Sequence, residues 1–152
     1  MIRISPAESL PMSVASATAG DAGVAAHARR VLAVLECRPS DDAVLTRAVE
    51  IAAVSGGYLT LVVVAPRPFP FVCPGPYCVP RVSADELRRH AARTLARATA
   101  LIPPDVPVIA AVDGGRTKDV IRRRVEVAAH DLVVVGGRRR RFGQLPVPVL
   151  AC

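Results

Sequence analysis

The sequence predicts one α/β domain: an open parallel five-stranded sheet with helices on both faces and the fourth helix shortened or absent. Two observations predict it. From Arg30 to Cys152, short runs of Val, Leu, Ile and Ala alternate with stretches whose apolar residues recur at helical spacing. Those runs are apolar throughout, which suits strands covered on both faces rather than strands with one wet side. Aromatic residues make up 3% of the chain against 51% hydrophobic residues overall, so Val, Leu, Ile and Ala must build the core. A chain of 152 residues fits a single domain of this kind.

The elements follow in order. Residues 1–28 are rich in Ala, Ser and Gly without periodicity and read as a disordered, mobile tail, with Met1 and Met12 both open as starts; His27 belongs to it. The domain proper occupies 29–152. "VLAVLE" (Val31 to Glu36) is the first strand. Ser40 is placed to cap the next helix, with Asp41 and Asp42 against its positive end. Leu45, Val49 and Ala52 give that helix its apolar face, and Gly56-Gly57 stops it. "YLTLVVVA" (Tyr58 to Ala65) is the second strand.

Residues 66–82 form a long connection holding six prolines. Ser83 and Glu86 then make a capping box, opening a helix with Leu87, Ala91, Leu95, Ala98 and Ile102 toward the core. "VPVIAAV" (Val106 to Val112) is the third strand, and "TKDVIRRRVEVAAH" a helix on Ile121, Val125 and Ala128. "LVVVGG" and "PVLAC" supply the fourth and fifth strands. Only eight residues separate Gly137 from Pro146, near the lower limit for a parallel crossover, so little room remains for a helix there. In sheets of this class, ligands gather at the strand carboxyl ends, where the strand order reverses.

The formal charge of +7 rests on 19 arginines and one lysine, Lys118, and favours anionic partners without naming one. No apolar run reaches the roughly 18 residues that span a bilayer. Four cysteines, Cys37, Cys73, Cys78 and Cys152, fit a reducing cytoplasm, where free thiols are the default. The expectation is a cytoplasmic protein with no membrane partner. Arg122 to Arg124 and Arg138 to Arg141 lack the interleaved aromatic residues of a nucleic-acid platform, so no specific nucleic acid is expected.

Several segments resemble the universal stress protein family. "RRVLAVLECRPSDDAVLTRAVEIAAVSGGYLTLVVV" is similar, without gaps, to that family's opening strand, helix and strand. "HDLVVVGGRRRR" resembles its fourth strand and the start of its phosphate loop, and "PVPVLAC" its closing strand. The resemblance covers residues 29–152, least well over the proline-rich loop. It implies a flavodoxin-like fold, a homodimer paired through the fifth strand around Val147 to Ala151, and a regulatory role with a protein partner.

For a ligand, the resemblance implies an ATP or other adenine-nucleotide site at Glu36, the backbone from Val62 to Val64, Gly136, Gly137, Arg138 and Arg139. The departures are specific. Glu36 stands where ATP-binding members carry Asp, and Arg139 stands where they carry the second loop glycine. The third glycine and its hydroxyl partner have no counterpart. Arginine resists the left-handed turns through which glycine brings backbone N–H groups to phosphate. The leading expectation is therefore a noncatalytic regulatory or binding module with a degenerate nucleotide cleft, whose affinity for ATP is weak and salt-sensitive. The alternative is an adenine-nucleotide-binding protein with an arginine-rich phosphate loop, since the guanidinium fork matches phosphate oxygens.

A third reading is a thiol-based metal or redox sensor on Cys73 and Cys78 in "CPGPYC". The four-residue spacing and the lack of a second paired motif favour buried or idle thiols, so no metal is expected. His90 and His130 fall at helical positions and read as surface residues. No nucleophile, base and orienting group come together, so the chain is not read as an enzyme.

Overall fold

The computed structural model describes residues 19–68, 82–137, 142 and 144–152. Cys73, Cys78, Arg138 and Arg139, with the expectations attached to them, lie outside the described residues. So does the expected tail as far as residue 18.

The five expected strands are present: β1 (Arg30–Leu35), β2 (Tyr58–Ala65), β3 (Val108–Gly114), β4 (Leu132–Val135) and β5 (Val149–Ala151). All pairings are parallel, in the order β3-β2-β1-β4-β5. The direction of progression thus reverses between β1 and β4, which puts the ligand-prone crevice at their carboxyl ends.

Among the described residues, four α-helices cover the sheet: α1 (Ala19–His27), α2 (Asp41–Ser55), α3 (Ala84–Ala100) and α4 (Thr117–Val127). Val31, Ala33, Leu35, Leu61 and Val63 pack under α2 and α3 on one face. Leu32, Val34, Val62, Val64, Val133 and Val135 face α4 on the other. β1 and β4 are apolar on both sides because both sides are covered.

Between β4 and β5, no α-helix is found among the described residues, and Phe142 itself sits in a 3-10 turn. Phe142, 1% exposed, fills the α4 face there, with Leu145 and Val147 packed beside it. Where a shortened or absent fourth helix is expected, the described residues place an aromatic plug.

Five local expectations need correction. From Ala19 the chain is helical, and Ala25 and Ala28 are buried in the core cluster that α2 shares. The alanine-rich pattern hid this because Ala fits a close helix contact without marking a period. β3 starts at Val108 rather than Val106, since Val106 closes a turn onto the Pro103 carbonyl at 3.1 Å and Pro107 has no N–H to pair. α4 ends at Val127, and Ala128 is extended and exposed instead of facing the core. Beyond that break, His130 turns inward and is 5% exposed, so it is a buried residue and not a surface one.

The last correction concerns Ser40, which occupies the N-cap of α2 in an αR conformation with no side-chain cap hydrogen bond. Asp41 does different work. Its carboxylate accepts the backbone N–H of Glu36 and of Arg38, each at 3.1 Å, tying the end of β1 to the start of α2. The other sequence signals hold: Gly56 ends α2 at φ 61°, and the Ser83–Glu86 capping box opens α3 with both reciprocal bonds.

Candidate functional site

Three strand ends and one helix start enclose a cleft of about 610 Å³. Glu36 comes from the end of β1, Val64 from the end of β2 and Arg67 from just beyond it. Arg116, Thr117 and Lys118 come from the start of α4. Phe142 closes the side toward β4. Volumes of this order suit a small-molecule ligand.

Glu36 is the acid at the base of the cleft. Its side chain is 10% exposed, accepts a hydrogen bond from the Thr117 hydroxyl and lies 3.6 Å from Nε of Arg38. The carboxylate therefore bridges the end of β1 to the start of α4. Asp41 holds the loop behind it. Burial raises the Asp41 pKa, and the backbone N–H groups of Glu36, Arg38 and Cys37 oppose that rise.

The expected site residues divide. Glu36 and Val64 line the cleft together. Val62 lies two residues earlier on β2, fully buried beneath α4. Gly136 is buried against α2, where an added Cβ would stand 2.7 Å from Oγ of Ser40, so its missing side chain serves a close approach of loop to helix. Gly137 has φ 89°, and its N–H donates to the Cys152 carbonyl at 2.8 Å. That donor is engaged beside the β4–β5 ladder.

Sequence reasoning missed Arg67, Arg116, Thr117 and Lys118. The signal was present in "DGGRTK", a Gly-Gly turn after β3 that leads straight into a helix with two cations. Gly115 takes φ 122°, a value that favours glycine, and Nη2 of Arg67 lies 4.0 Å from where its Cβ would be.

A second, smaller hollow of about 230 Å³ lies between the start of α2 and α3, lined by Cys37, Asp42, His90, Thr94 and Arg97 among others. Cys37 sits in the left-handed region at φ 57°, and its thiol lies 3.7 Å from Oγ1 of Thr94. Burial pushes the thiols of both Cys37 and Cys152 upward in pKa, which works against thiolate chemistry at either. Among the described residues, no three His, Cys, Asp or Glu side chains group to hold a metal ion. Among the described residues, too, no helix is long and apolar enough to cross a membrane.

The fold has solved counterparts. A protein from the universal stress protein family of Burkholderia pseudomallei superposes with a TM-score of 0.64 at 22% identity, over 80% of this chain and 93% of that one. A universal stress protein in complex with cAMP gives 0.52 at 21% identity, over 83% and 97%. The universal stress protein UspA from Lactobacillus plantarum gives 0.51 at 17% identity, over 80% and 94%. Curated proteins give no match. At these identities the structures speak for the fold alone, but the sequence itself fits the model of the Universal stress protein family across residues 27–147. With the five-stranded parallel sheet and a cleft at its carboxyl edge, that match over most of the chain settles the family: the chain belongs to the universal stress proteins.

Proposed function

We propose that this domain is a noncatalytic regulatory module that takes an adenine nucleotide, weakly, in the cleft above β1 and β2. The observation that carries the reading is the cleft itself. About 610 Å³ of open volume stands beside the strand-order reversal, with the Glu36 carboxylate already fixed at its base. A related protein of this fold has been solved with cAMP bound, which supports a nucleotide as the ligand class. The engagement of Glu36 by Thr117 and Arg38 suits a group that orients a ligand better than one that moves a proton. A cytoplasmic setting and a homodimer through β5 belong to the same proposal.

Calorimetric titration with ATP, ADP, cAMP and tripolyphosphate, at low and at physiological salt, tests it. Exposed cations around an incomplete glycine loop should give affinity that fades as salt screens them. The expected outcome is weak binding with little preference between ATP and ADP. Micromolar, ATP-selective binding that persists at physiological salt would overturn the degenerate cleft and establish a rebuilt ATP site. A bound nucleotide at one hundred times its dissociation constant would add about 2.7 kcal/mol of stability, so thermal melting provides a second readout.

A further inference from the structure

We infer that the cleft holds the phosphate of its ligand on the β2–α4 side, with Arg67, Arg116 and Lys118, rather than on the loop that follows β4. The inference rests on the nucleotide reading for the identity of the ligand, and goes beyond it in assigning the anion subsite.

Three cations from separate stretches of chain line one cleft. Arg67 follows β2, while Arg116 and Lys118 flank the first residue of α4. The Arg67 guanidinium reaches across to Gly115, where the absence of a side chain leaves the space between them open. Among the described residues, none of the three has an ion pair or a side-chain hydrogen bond. Arg38, Arg47, Arg88, Arg97, Arg123 and Arg124 have acidic partners, while Arg29, Arg30, Arg89, Arg93 and Arg122 are without an ion pair among the described residues but do not line this cleft.

Charge balance points the same way. Among the described residues lining the cleft, Glu36 is the one carboxylate, and it is engaged by Arg38 and by the Thr117 hydroxyl. Three further cations then share a concave site without a matching acid. Such a site attracts a compact polyanion, and a planar guanidinium with an ammonium supplies donors for several phosphate oxygens. The N–H groups of Thr117 and Lys118 belong to the first turn of α4, where no intrahelical carbonyl is available to them, and they add to the same field.

The opposite wall is less suited. Gly136 is packed against Ser40, and the Gly137 N–H already donates to the Cys152 carbonyl. The backbone donors with which a glycine loop would cradle phosphate are not offered at those two positions.

The test is calorimetry on the full chain with ADP and with inorganic pyrophosphate at one fixed salt concentration. Three charge-matched double variants are compared: Arg67→Ala with Lys118→Ala, Arg138→Ala with Arg139→Ala, and Arg89→Ala with Arg93→Ala on α3. Each removes two positive charges, so general electrostatics affects all alike. Far-ultraviolet circular dichroism and melting check that each variant is folded, and Arg67→Gln with Lys118→Gln repeats the first arm with polar side chains retained. The expected result is a loss of roughly tenfold or more in pyrophosphate affinity for the Arg67 and Lys118 pair, with the α3 pair within about threefold of the parent.

Equal losses in all three pairs, or the largest loss in the Arg138 and Arg139 pair, would overturn the assignment while leaving nucleotide binding intact. Pyrophosphate binding that depends on Arg67 and Lys118, with ADP no tighter, would support the anion subsite and remove the nucleotide. No measurable binding of either ligand would overturn both.

Discussion

His130 and Thr60 share a hydrogen bond of 3.1 Å between imidazole Nε2 and the hydroxyl oxygen, at the buried amino-terminal end of the sheet. The other ring nitrogen, Nδ1, is buried and has no partner of good hydrogen-bond geometry among the described residues, with the backbone of Ala128 and Arg124 nearby. Burial lowers the pKa of His130; the backbone of Ala128 and Arg124 opposes that fall, and the positive charges of Arg124 and Arg30 add to it. The folded state therefore resists a proton that the unfolded chain accepts near its ordinary value of about 6.5. Its stabilising contribution is present in full above that value and is lost as pH falls below it toward the folded pKa. Asp41 pulls the other way, because its raised pKa favours proton uptake by the folded chain. The useful comparison is thus one of slopes. Urea midpoints between pH 7.5 and 5 should fall less for His130→Gln, which keeps a hydrogen bond to Thr60 without titrating, than for the parent. Parallel slopes would show that His130 is not the titrating group.

The same residue shows where sequence stops being legible at this scale. Apolar spacing on α4 continues on paper to His130, and the break at Ala128 comes from a local change of backbone direction that no helix-breaking residue announces. Glu36 and Val64 were readable because a strand end is a position in a pattern. Arg67 and Lys118 are 51 positions apart in the chain and meet only because β2 and β3 are neighbours, in register from Leu59 and Val108 to Ala65 and Gly114. Their convergence is a property of the fold.

Elements carry the next lesson. The two faces of the sheet are built unequally, with α1, α2 and α3 on one and α4 on the other. Alternation of strand and helix made this architecture legible, and the eight residues before Pro146 showed how little room is left there for a helix. What fills that space was not legible. Phe142 stands among arginines and a glycine, with no period around it, and is nonetheless 1% exposed beneath the sheet's carboxyl edge. It packs in the cluster that includes Val120, Ile121, Val135 and Val149, and it also lines the cleft. Phe142→Ala should cost about 3–5 kcal/mol, the usual range for deleting a buried aromatic ring, read from chemical denaturation. Phe142→Leu should recover most of that loss. A change below about 1 kcal/mol for Phe142→Ala would mean that the residue does not plug the space between β4 and β5.

At the scale of the whole molecule the open question is how the sheet ends. β5 lies at one edge and is only three residues long, Val149–Ala151. Cys152 donates its N–H to the Val135 carbonyl, and the Pro148 carbonyl accepts from Val133, so even-numbered residues face β4. By the alternation of strand hydrogen bonding, Val149 and Ala151 direct their backbone groups outward, to the free edge. No strand pairs with that edge among the described residues, and an edge of this kind pairs readily with another chain. The family's frequent pairing through the fifth strand gives the proposal of a homodimer around Val147 to Ala151 its partner. A charged substitution at Val149 is a poor probe, since that side chain is 7% exposed within the monomer and its loss would disturb the core. Ala151→Pro is better, because proline removes one outward N–H and leaves the β4 ladder in place. Sedimentation at micromolar concentration should show a dimer for the parent and a shift toward monomer for Ala151→Pro, with the far-ultraviolet spectrum unchanged. A parent that sediments as a monomer would remove the dimer, and a dimer indifferent to Ala151→Pro would move the interface away from β5.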